Sequence, residues 1–347
     1  MRNKYAALIN QLKLKEESEA TSRDDRVLLV DGLNTFIRAY SASPALNANG
    51  EHVGGISGFL ASVGSAIKTI NPTRVVVVFD GKNGSAKRKK LYPDYKATRK
   101  VKIRLNRADS VDKEDTQLQQ LIRLIDYLEV LPITVMTLDE SEADDVMAFI
   151  TNEYLTPKES HTFIMSSDKD FLQLVSKHVH VWSPTKKKLY YEEDVFSEYG
   201  FHPQNFPIFR ALAGDKSDNI PGAPGLAPKT ILKRFPKLAE NQTMSLDDFF
   251  NYAKELAVGS KIKVYNTVID HEEEIRLYHK IMQLQDTLLN ANTQMRALSL
   301  MEEKSRKLAK IKFHQLLVED GMTAALRNPE MWIRDIATKL NHYVDQL

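Results

Sequence analysis

Three apolar, β-branched runs in this chain each end in an acidic residue. The first two close on Asp-Gly, and the third passes through two serines into Asp-Lys-Asp; these acids are Asp31, Asp80, Asp168 and Asp170. Such runs predict buried parallel strands, so we expect an α/β fold with a mostly parallel central sheet flanked by helices. Each acid taken alone is better explained as a turn residue or helix cap. Because ligand sites in such folds lie beyond the carboxyl ends of the strands, their recurrence favours one shared crevice.

Composition restricts the class of protein further. The chain has 347 residues, 42% hydrophobic and 27% charged, as is usual for a globular protein. No apolar run approaches the roughly 18–20 residues that span a membrane, and the N-terminus carries no secretory signal pattern. The absence of cysteine excludes disulfides, thiol catalysis and cysteine-ligated zinc, and it suits a cytoplasmic protein, which we expect to be a monomer. A net charge of +2 means that nucleic-acid binding has to be argued from local clusters.

Residues 82–107 form one such cluster, with eleven Lys or Arg against a single acid, Asp94. Tyrosines are interleaved with the cations, which favours a phosphate-binding surface with aromatic rings available for stacking. A solvated loop is the alternative interpretation, and the two are compatible. The candidate phosphate-binding residues of this segment, together with one arginine that follows the first strand, are Lys87, Arg88, Tyr95, Lys96, Arg99, Lys100 and Arg38.

Five further acids lie at predicted helix ends. Glu142, Asp144 and Asp145 open a helix, where capping explains only part of their number. Asp215 and Asp218 follow a helix that ends in Gly-Asp. With the strand-end acids this makes nine carboxylates, and carboxylate-only ligation selects hard cations such as Mg²⁺ or Mn²⁺. Nine acids exceed the needs of one ion, so the residues alone predict a two-metal nuclease or phosphotransferase acting on nucleic acid.

Residues 204–235 predict a helix, a glycine-bearing hairpin and a second helix. Glycines allow close approach of a phosphate backbone and a helix start offers N–H groups, so Gly222, Gly225, Lys229 and Thr230 are candidate DNA contacts. An ordinary Pro/Gly loop is an equally good interpretation of this segment alone. The histidines of 178–180 share one strand face, and we interpret them as structural.

Strand signals disappear beyond about residue 240, and helical apolar stripes dominate. We therefore divide the chain into an N-terminal extension (1–24), an α/β domain (25–240) and an all-α C-terminal subdomain (241–347).

The order of these motifs resembles the flap endonuclease (5′-nuclease) family, most closely its phage ribonuclease H members. The resemblance is carried by Asp31-Gly32, Phe79-Asp80, Arg88 with Tyr95-Lys96 and Arg99, Glu142-Ala143-Asp144-Asp145, Ser167-Asp168-Lys169-Asp170 and Gly214-Asp215-x-x-Asp218-Asn219.

That resemblance implies a role for each motif. One metal ion would be held by Asp31, Asp80, Glu142 and Asp144, and a second by Asp168, Asp170, Asp215 and Asp218, with Asp145 nearby. Catalytic roles at the scissile phosphate would fall to Arg88 and Lys96, at the base of a basic helical arch spanning about 82–115. Residues 222–230 match a helix–three-turn–helix that grips duplex DNA and binds K⁺ in some members; Ala227-Pro228 here replaces the family's third hairpin glycine.

The resemblance also implies an activity and partners. The leading hypothesis is a magnesium-dependent 5′→3′ exonuclease and flap endonuclease that removes RNA primers and DNA flaps in replication, in the host cytoplasm if a phage encodes it. A non-catalytic, structure-specific DNA-binding protein and a single-strand RNA nuclease are the alternatives. Expected partners are branched or flapped DNA, RNA–DNA hybrid, a sliding clamp and a single-strand DNA-binding protein.

Overall fold

The computed structural model describes residues 24–97, 113–326 and 328–344. Within them, six strands form one sheet in the order β3-β2-β1-β4-β5-β6. All neighbours pair in parallel except β6, which is antiparallel to β5. The strands are β1 (Arg26–Asp31), β2 (Arg74–Asp80), β3 (Thr134–Leu138), β4 (His161–Met165), β5 (Val179–Ser183) and β6 (Lys188–Tyr190).

Fifteen α-helices connect or cover these strands in the described residues. They are α1 (Gly32–Ala42), α2 (Gly54–Ile70), α3 (Ala86–Leu91), α4 (Lys113–Glu129), α5 (Ala143–Phe149), α6 (Glu192–Tyr199), α7 (Phe206–Ala213), α8 (Pro228–Arg234), α9 (Leu246–Ala257), α10 (Lys263–Asp270), α11 (Glu272–Met282), α12 (Ala291–Glu302), α13 (Lys310–Glu319), α14 (Pro329–Trp332) and α15 (Thr338–His342). Shorter 3₁₀ and π segments are Ile150–Leu155, Thr156–Lys158, Lys169–Leu174, Pro203–Asn205, Pro236–Ala239 and Ile333–Ala337.

The register of the central strands aligns their carboxyl ends. Asp31 pairs with Val78 of β2, two residues before Asp80, and β4 ends one residue beyond the partner of Leu29. Val and Ile favour this pleated, doubly covered environment, and β1, β2 and β4 are buried along nearly their whole length. The predicted α/β class with a mostly parallel sheet is confirmed, and the acids that follow these strands emerge at one edge.

Alternate residues of each strand pack into two separate cores. Val27 and Leu29 face one core, which α5 and α7 to α12 complete. Leu28 and Val30 face the other, which includes α1, α2, α4, α13 and the segments up to Leu340. The helices after residue 241 therefore contribute to the cores on both faces of the sheet, and the division of the chain into domains stays a prediction. Helical periodicity shows that a stripe is apolar but cannot show which face receives it.

Three local predictions from sequence also differ from the structure. The predicted stripe of α4 includes Leu118 and Ile122, yet these side chains are 56% and 60% exposed. Strand β6 is absent from the prediction because its three residues give too short a pattern. The helix expected after Asp170 is a 3₁₀ helix over Lys169–Leu174. Of the predicted arch, residues 98–112 lie outside the described residues.

No helix in the described ranges combines the length and apolar character needed to cross a bilayer.

The hairpin between α7 and α8 contains two glycines with positive φ in different surroundings. Gly222 has φ +70°, and a Cβ there would lie 2.5 Å from Gly214 N and 2.6 Å from Leu212 O. Gly225 has φ +75°, and a Cβ there would meet no atom within 4 Å. Gly222 is thus required by packing of the hairpin, whereas Gly225 is required only by its backbone conformation.

We expect Gly222→Ala to destabilise the protein far more than Gly225→Ala. The left-handed conformation costs an L-residue about 1–2 kcal/mol at either position, and only Gly222→Ala adds a backbone clash. The free energy of unfolding from urea denaturation, measured for both variants, gives the comparison. Equal losses would mean that Gly222 is not closely packed.

Candidate metal centre

Three acids at the edge of the sheet also cap helices. Asp31 Oδ1 accepts a backbone N–H in the first turn of α1 at 3.2 Å, and Asp80 Oδ1 accepts the N–H of Ala143, the first residue of α5, at 2.8 Å. Asp168 Oδ1 accepts a backbone N–H of the 3₁₀ helix at 2.9 Å. Asp31 Oδ2 also accepts from Ser166 Oγ at 2.9 Å. The capping and site interpretations are compatible, because each carboxylate has about four lone-pair positions and these hydrogen bonds leave acceptor capacity for a ligand.

Glu142, Asp144 and Asp145 form the first acidic cluster, at the N-terminus of α5. One oxygen from each lies within 4.8 Å of the others. Arg88 compensates their charge: its Nη atoms donate to Asp145 at 2.6 and 3.0 Å, and Nη1 also donates to Glu142. Lys96 Nζ donates to Glu142 as well. Such short, multiple, charge-assisted contacts are what allow so many acids to be buried together.

Asp170, Asp215 and Asp218 form the second cluster, again with one oxygen from each within 4.8 Å of the others. Asp170 comes from the 3₁₀ helix after β4, and the other two come from the turn after α7. Arg210 lies between them, donating from Nε to Asp170 Oδ1 at 2.6 Å and from Nη2 to Asp215 Oδ2.

Electrostatic coupling joins the two clusters through the strand-end acids. Burial raises the pKa of Asp168, and the negative charges of Asp144 and Asp215, one from each cluster, raise it further. Burial also raises the pKa of Asp31 to about 7, against a hydrogen bond from Ser166, with Asp168 and Asp80 adding to the rise. Asp31, Asp80 and Asp168 are therefore coupled electrostatically to one another and to an acid of each cluster.

This arrangement fits hard divalent cations. All donors of the two clusters are carboxylates, and hard oxygen ligands are those that Mg²⁺ and Mn²⁺ prefer. Burial also raises the pKa of Asp170 to about 7 and that of Asp145 to about 6, although Arg210 and Arg88 oppose the shifts. Burial disfavours the charged form of these acids even beside buried arginines, so added positive charge stabilises that form further.

The family model described as "5'-3' exonuclease, N-terminal resolvase-like domain" matches residues 26–200. The 5′-3′ exonuclease of Aquifex aeolicus is 32% identical over 258 residues, covering 74% of this chain and 80% of the relative.

The chain belongs to the 5′-3′ exonuclease family.

Two further comparisons agree with this membership. The flap endonuclease Xni of Shewanella loihica is 31% identical over 269 residues, covering 75% of this chain and 92% of that protein. The fold is shared with the T5 D15 protein co-crystallised with metal ions, with a TM-score of 0.58, 20% identity, and coverage of 86% of this chain and 99% of that one. The resemblance drawn from the motifs is confirmed, and this nuclease is a phosphodiester hydrolase.

Three side chains predicted to contact nucleic acid are engaged by contacts within the protein instead: those of Arg88, Tyr95 and Lys87. Arg88 is only 2% exposed, and its Nε donates to Ile281 O at 2.9 Å, so its whole guanidinium is engaged inside the protein. The ring of Tyr95 is also 2% exposed, and its hydroxyl donates to Glu142 at 3.2 Å. Lys87 Nζ donates to a backbone carbonyl, Leu288 O, at 2.8 Å. A cation run in sequence cannot show which of its members turn inward.

Other predicted contacts remain open to solvent. Arg38 is half-buried on α1, where burial lowers its pKa. Lys229 and Gly225 are exposed in the hairpin, and Thr230 is partly exposed at the first turn of α8. The side chain of Lys96 is 18% exposed and reaches the first cluster. Arg99 and Lys100 lie outside the described residues.

Sequence reasoning missed Arg210. Its signal is present, however: it is the one charge in the helix sequence FPIFRALA, five residues before Asp215. A single charge in an otherwise apolar helix needs a buried partner, and an acid cluster was already predicted next to it. Asn34 was also missed; its Oδ1 accepts from Ser167 Oγ at 2.7 Å and fixes the turn that carries Asp168.

We expect the free energy of unfolding in chelator to fall as the pH rises from about 4 to about 7. Asp31 releases its proton near the ordinary value of 3.8 when unfolded and near 7 when folded, so the unfolded chain binds fewer protons across that range. Asp31→Asn removes this titration and should flatten part of the slope. Urea denaturation at several pH values measures both. An equally steep slope in the variant would contradict a folded-state pKa near 7 for Asp31.

Proposed function

We propose that this nuclease is a magnesium-dependent 5′→3′ exonuclease and flap endonuclease, which removes RNA primers and DNA flaps near 5′ ends during replication in the cytoplasm. The observation that carries the proposal is the meeting of two carboxylate clusters at one sheet edge, directly beside the basic segment. Acids that bind hard cations and cations that bind phosphate are the two components of phosphodiester hydrolysis.

The metal ligands that we propose follow the two clusters. Asp31, Asp80, Glu142 and Asp144 would hold one ion, and Asp168, Asp170, Asp215 and Asp218 the other, with Asp145 beside the first. Divalent ions at such sites supply a nucleophile at neutral pH and stabilise charge on phosphoryl oxygens. Mn²⁺ has the same ligand preference and should substitute for Mg²⁺.

Cations of the chain would bind and orient the substrate. Among the cations that the structure describes, Lys96 reaches the first cluster while keeping some exposure, so we assign it to the scissile phosphate. Arg88 is assigned instead to holding Glu142 and Asp145 in place, since its donors are all engaged internally. Arg38 and the exposed Lys89 and Lys90 would contact neighbouring phosphates.

The hairpin around Gly225 would bind the duplex part of the substrate. Gly225 is exposed with open space at its Cα, so a phosphate backbone can approach it closely. Lys229 and Thr230 lie next to it at the start of α8. We extend the proposal to branched DNA and RNA–DNA hybrid as substrates, to a K⁺ ion at this hairpin, and to a sliding clamp and a single-strand DNA-binding protein as partners.

We expect Asp168→Asn to lower cleavage of a 5′-flapped duplex by about 100-fold or more while leaving DNA binding nearly unchanged. Asparagine retains the oxygen that caps the 3₁₀ helix, so the variant should fold. Cleavage in Mg²⁺ and in chelator is followed on gels with 5′ and internal labels, and Asp286→Asn, an exposed acid away from the clusters, is the control. Cleavage by the Asp168→Asn variant at the rate of the wild type would contradict the site assignment. DNA binding without any cleavage by the wild-type protein would favour a non-catalytic protein.

We expect Lys96→Ala to lower kcat by about 100-fold, because a charge beside the reacting phosphate stabilises the transition state. The exposed Lys90→Ala should instead raise KM with little change in kcat, as a distant phosphate contact would. Steady-state kinetics on the flapped duplex separate the two effects. A Lys96→Ala variant affected mainly in KM would make Lys96 a residue that only positions the substrate.

A further inference from the structure

Arg210 is the one charged side chain of α7, whose other residues are apolar or small. Its side chain is 12% exposed, and it points away from solvent into the second acidic cluster. Burial alone would lower its pKa, but Asp170 and Asp215 outweigh that effect and raise it above the ordinary value. The guanidinium is therefore a fixed positive charge inside the cluster.

The hydrogen bonds of Asp215 show which of its two oxygens Arg210 contacts. Asp215 Oδ1 accepts two bonds, from Ser217 N at 2.6 Å and from Ser217 Oγ at 2.7 Å. A carboxylate oxygen has two lone pairs, so these two donors fill Oδ1. Oδ2 is the oxygen with remaining capacity, and Arg210 Nη2 donates to it.

Asp170 is held in the same way from the other side. Its Oδ1 accepts from Arg210 Nε at 2.6 Å, so one guanidinium bridges acids that come from two different elements. Arg210 Nη1 also donates to Gly214 O, at 3.4 Å, which fixes the guanidinium relative to the hairpin. A divalent ion held by Asp170 and Asp215 would lie close to this guanidinium, which already contacts one oxygen of each acid, and like charges at short distance repel strongly.

We propose that Arg210 is a positioning residue, the internal counter-ion of the second cluster. It keeps Asp170 and Asp215 together when no divalent ion is bound, and an entering ion competes with it for the same two carboxylates. Arg210 thereby weakens binding of the ion at this cluster while stabilising the metal-free protein. The inference rests on the proposed function, because it takes the second cluster to be a metal site.

The test compares the metal response of Arg210→Met with that of the wild type. Methionine fills similar space without charge, so in chelator the variant should have a lower Tm, because two buried acids then repel each other without compensation. Added Mg²⁺ should raise its Tm by more than it raises that of the wild type. Calorimetric titration with Mn²⁺ should show one of the ions binding about tenfold more tightly than in the wild type.

Arg276→Met is the matched control. Arg276 also bridges two acids, Asp247 at 2.6 Å and Glu272 at 2.8 Å, but these acids belong to neither cluster. Its removal should leave the Mg²⁺-induced change in Tm and the Mn²⁺ affinity at wild-type values. Arg210→Lys retains the charge, so its Mg²⁺-induced change in Tm and its Mn²⁺ affinity should return towards the wild-type values. If Arg210→Met does not fold, Arg210→Gln should show the changes expected of Arg210→Met.

The failure of this inference can be distinguished from the failure of the proposed function. A wild type whose Tm and titration heat do not respond to Mg²⁺ or Mn²⁺ would overturn the metal site itself. The wild type could instead respond to the metals while the uncharged Arg210 variants show the same metal-induced change in Tm and the same Mn²⁺ affinity. That result would overturn only the counter-ion role.

Discussion

Mutual repulsion of carboxylates is the constraint on which this structure depends. Nine acids at one edge of a sheet would drive the elements apart unless positive charge lay among them. The chain provides that charge from two places far apart in sequence, with Arg88 in the first cluster and Arg210 in the second. Each guanidinium joins acids of its cluster, so the site is assembled before any ion binds, and the net charge that remains negative is what attracts one.

Helix capping also orients the acidic side chains. Asp31, Asp80 and Asp168 each give one oxygen to a backbone N–H at the start of a helix or 3₁₀ turn. This fixes the carboxylate plane at little energetic cost, since an N-cap acid is favourable in itself. The same carboxylates thus serve as caps and keep acceptor capacity for a ligand.

Much of the fold and the acid set could be predicted from sequence because the signals are local. A β-branched run ending in Asp gives both the strand and the position of its carboxylate at the sheet edge, and Glu142 to Asp145 give the helix start. The inward orientation of the Arg88 and Tyr95 side chains could not be predicted. Both residues lie in a run of similar polar residues, and only tertiary contacts turn them inward. The exposure of Leu118 and the division of the last helices between two cores depend on long-range packing in the same way.

The packing of the last helices has a consequence for the nascent chain of this nuclease, because these helices are translated after the acids. All nine acids precede residue 219, yet the core beneath β1 and β2 includes Phe313 of α13, and Trp332 of α14 donates to Leu60 O at 3.1 Å and lies against Gly64. One face of the sheet therefore remains without its cover while a ribosome has translated only the part that carries the acids. The nascent chain contains all nine acids well before it contains the helices that cover this face of the sheet.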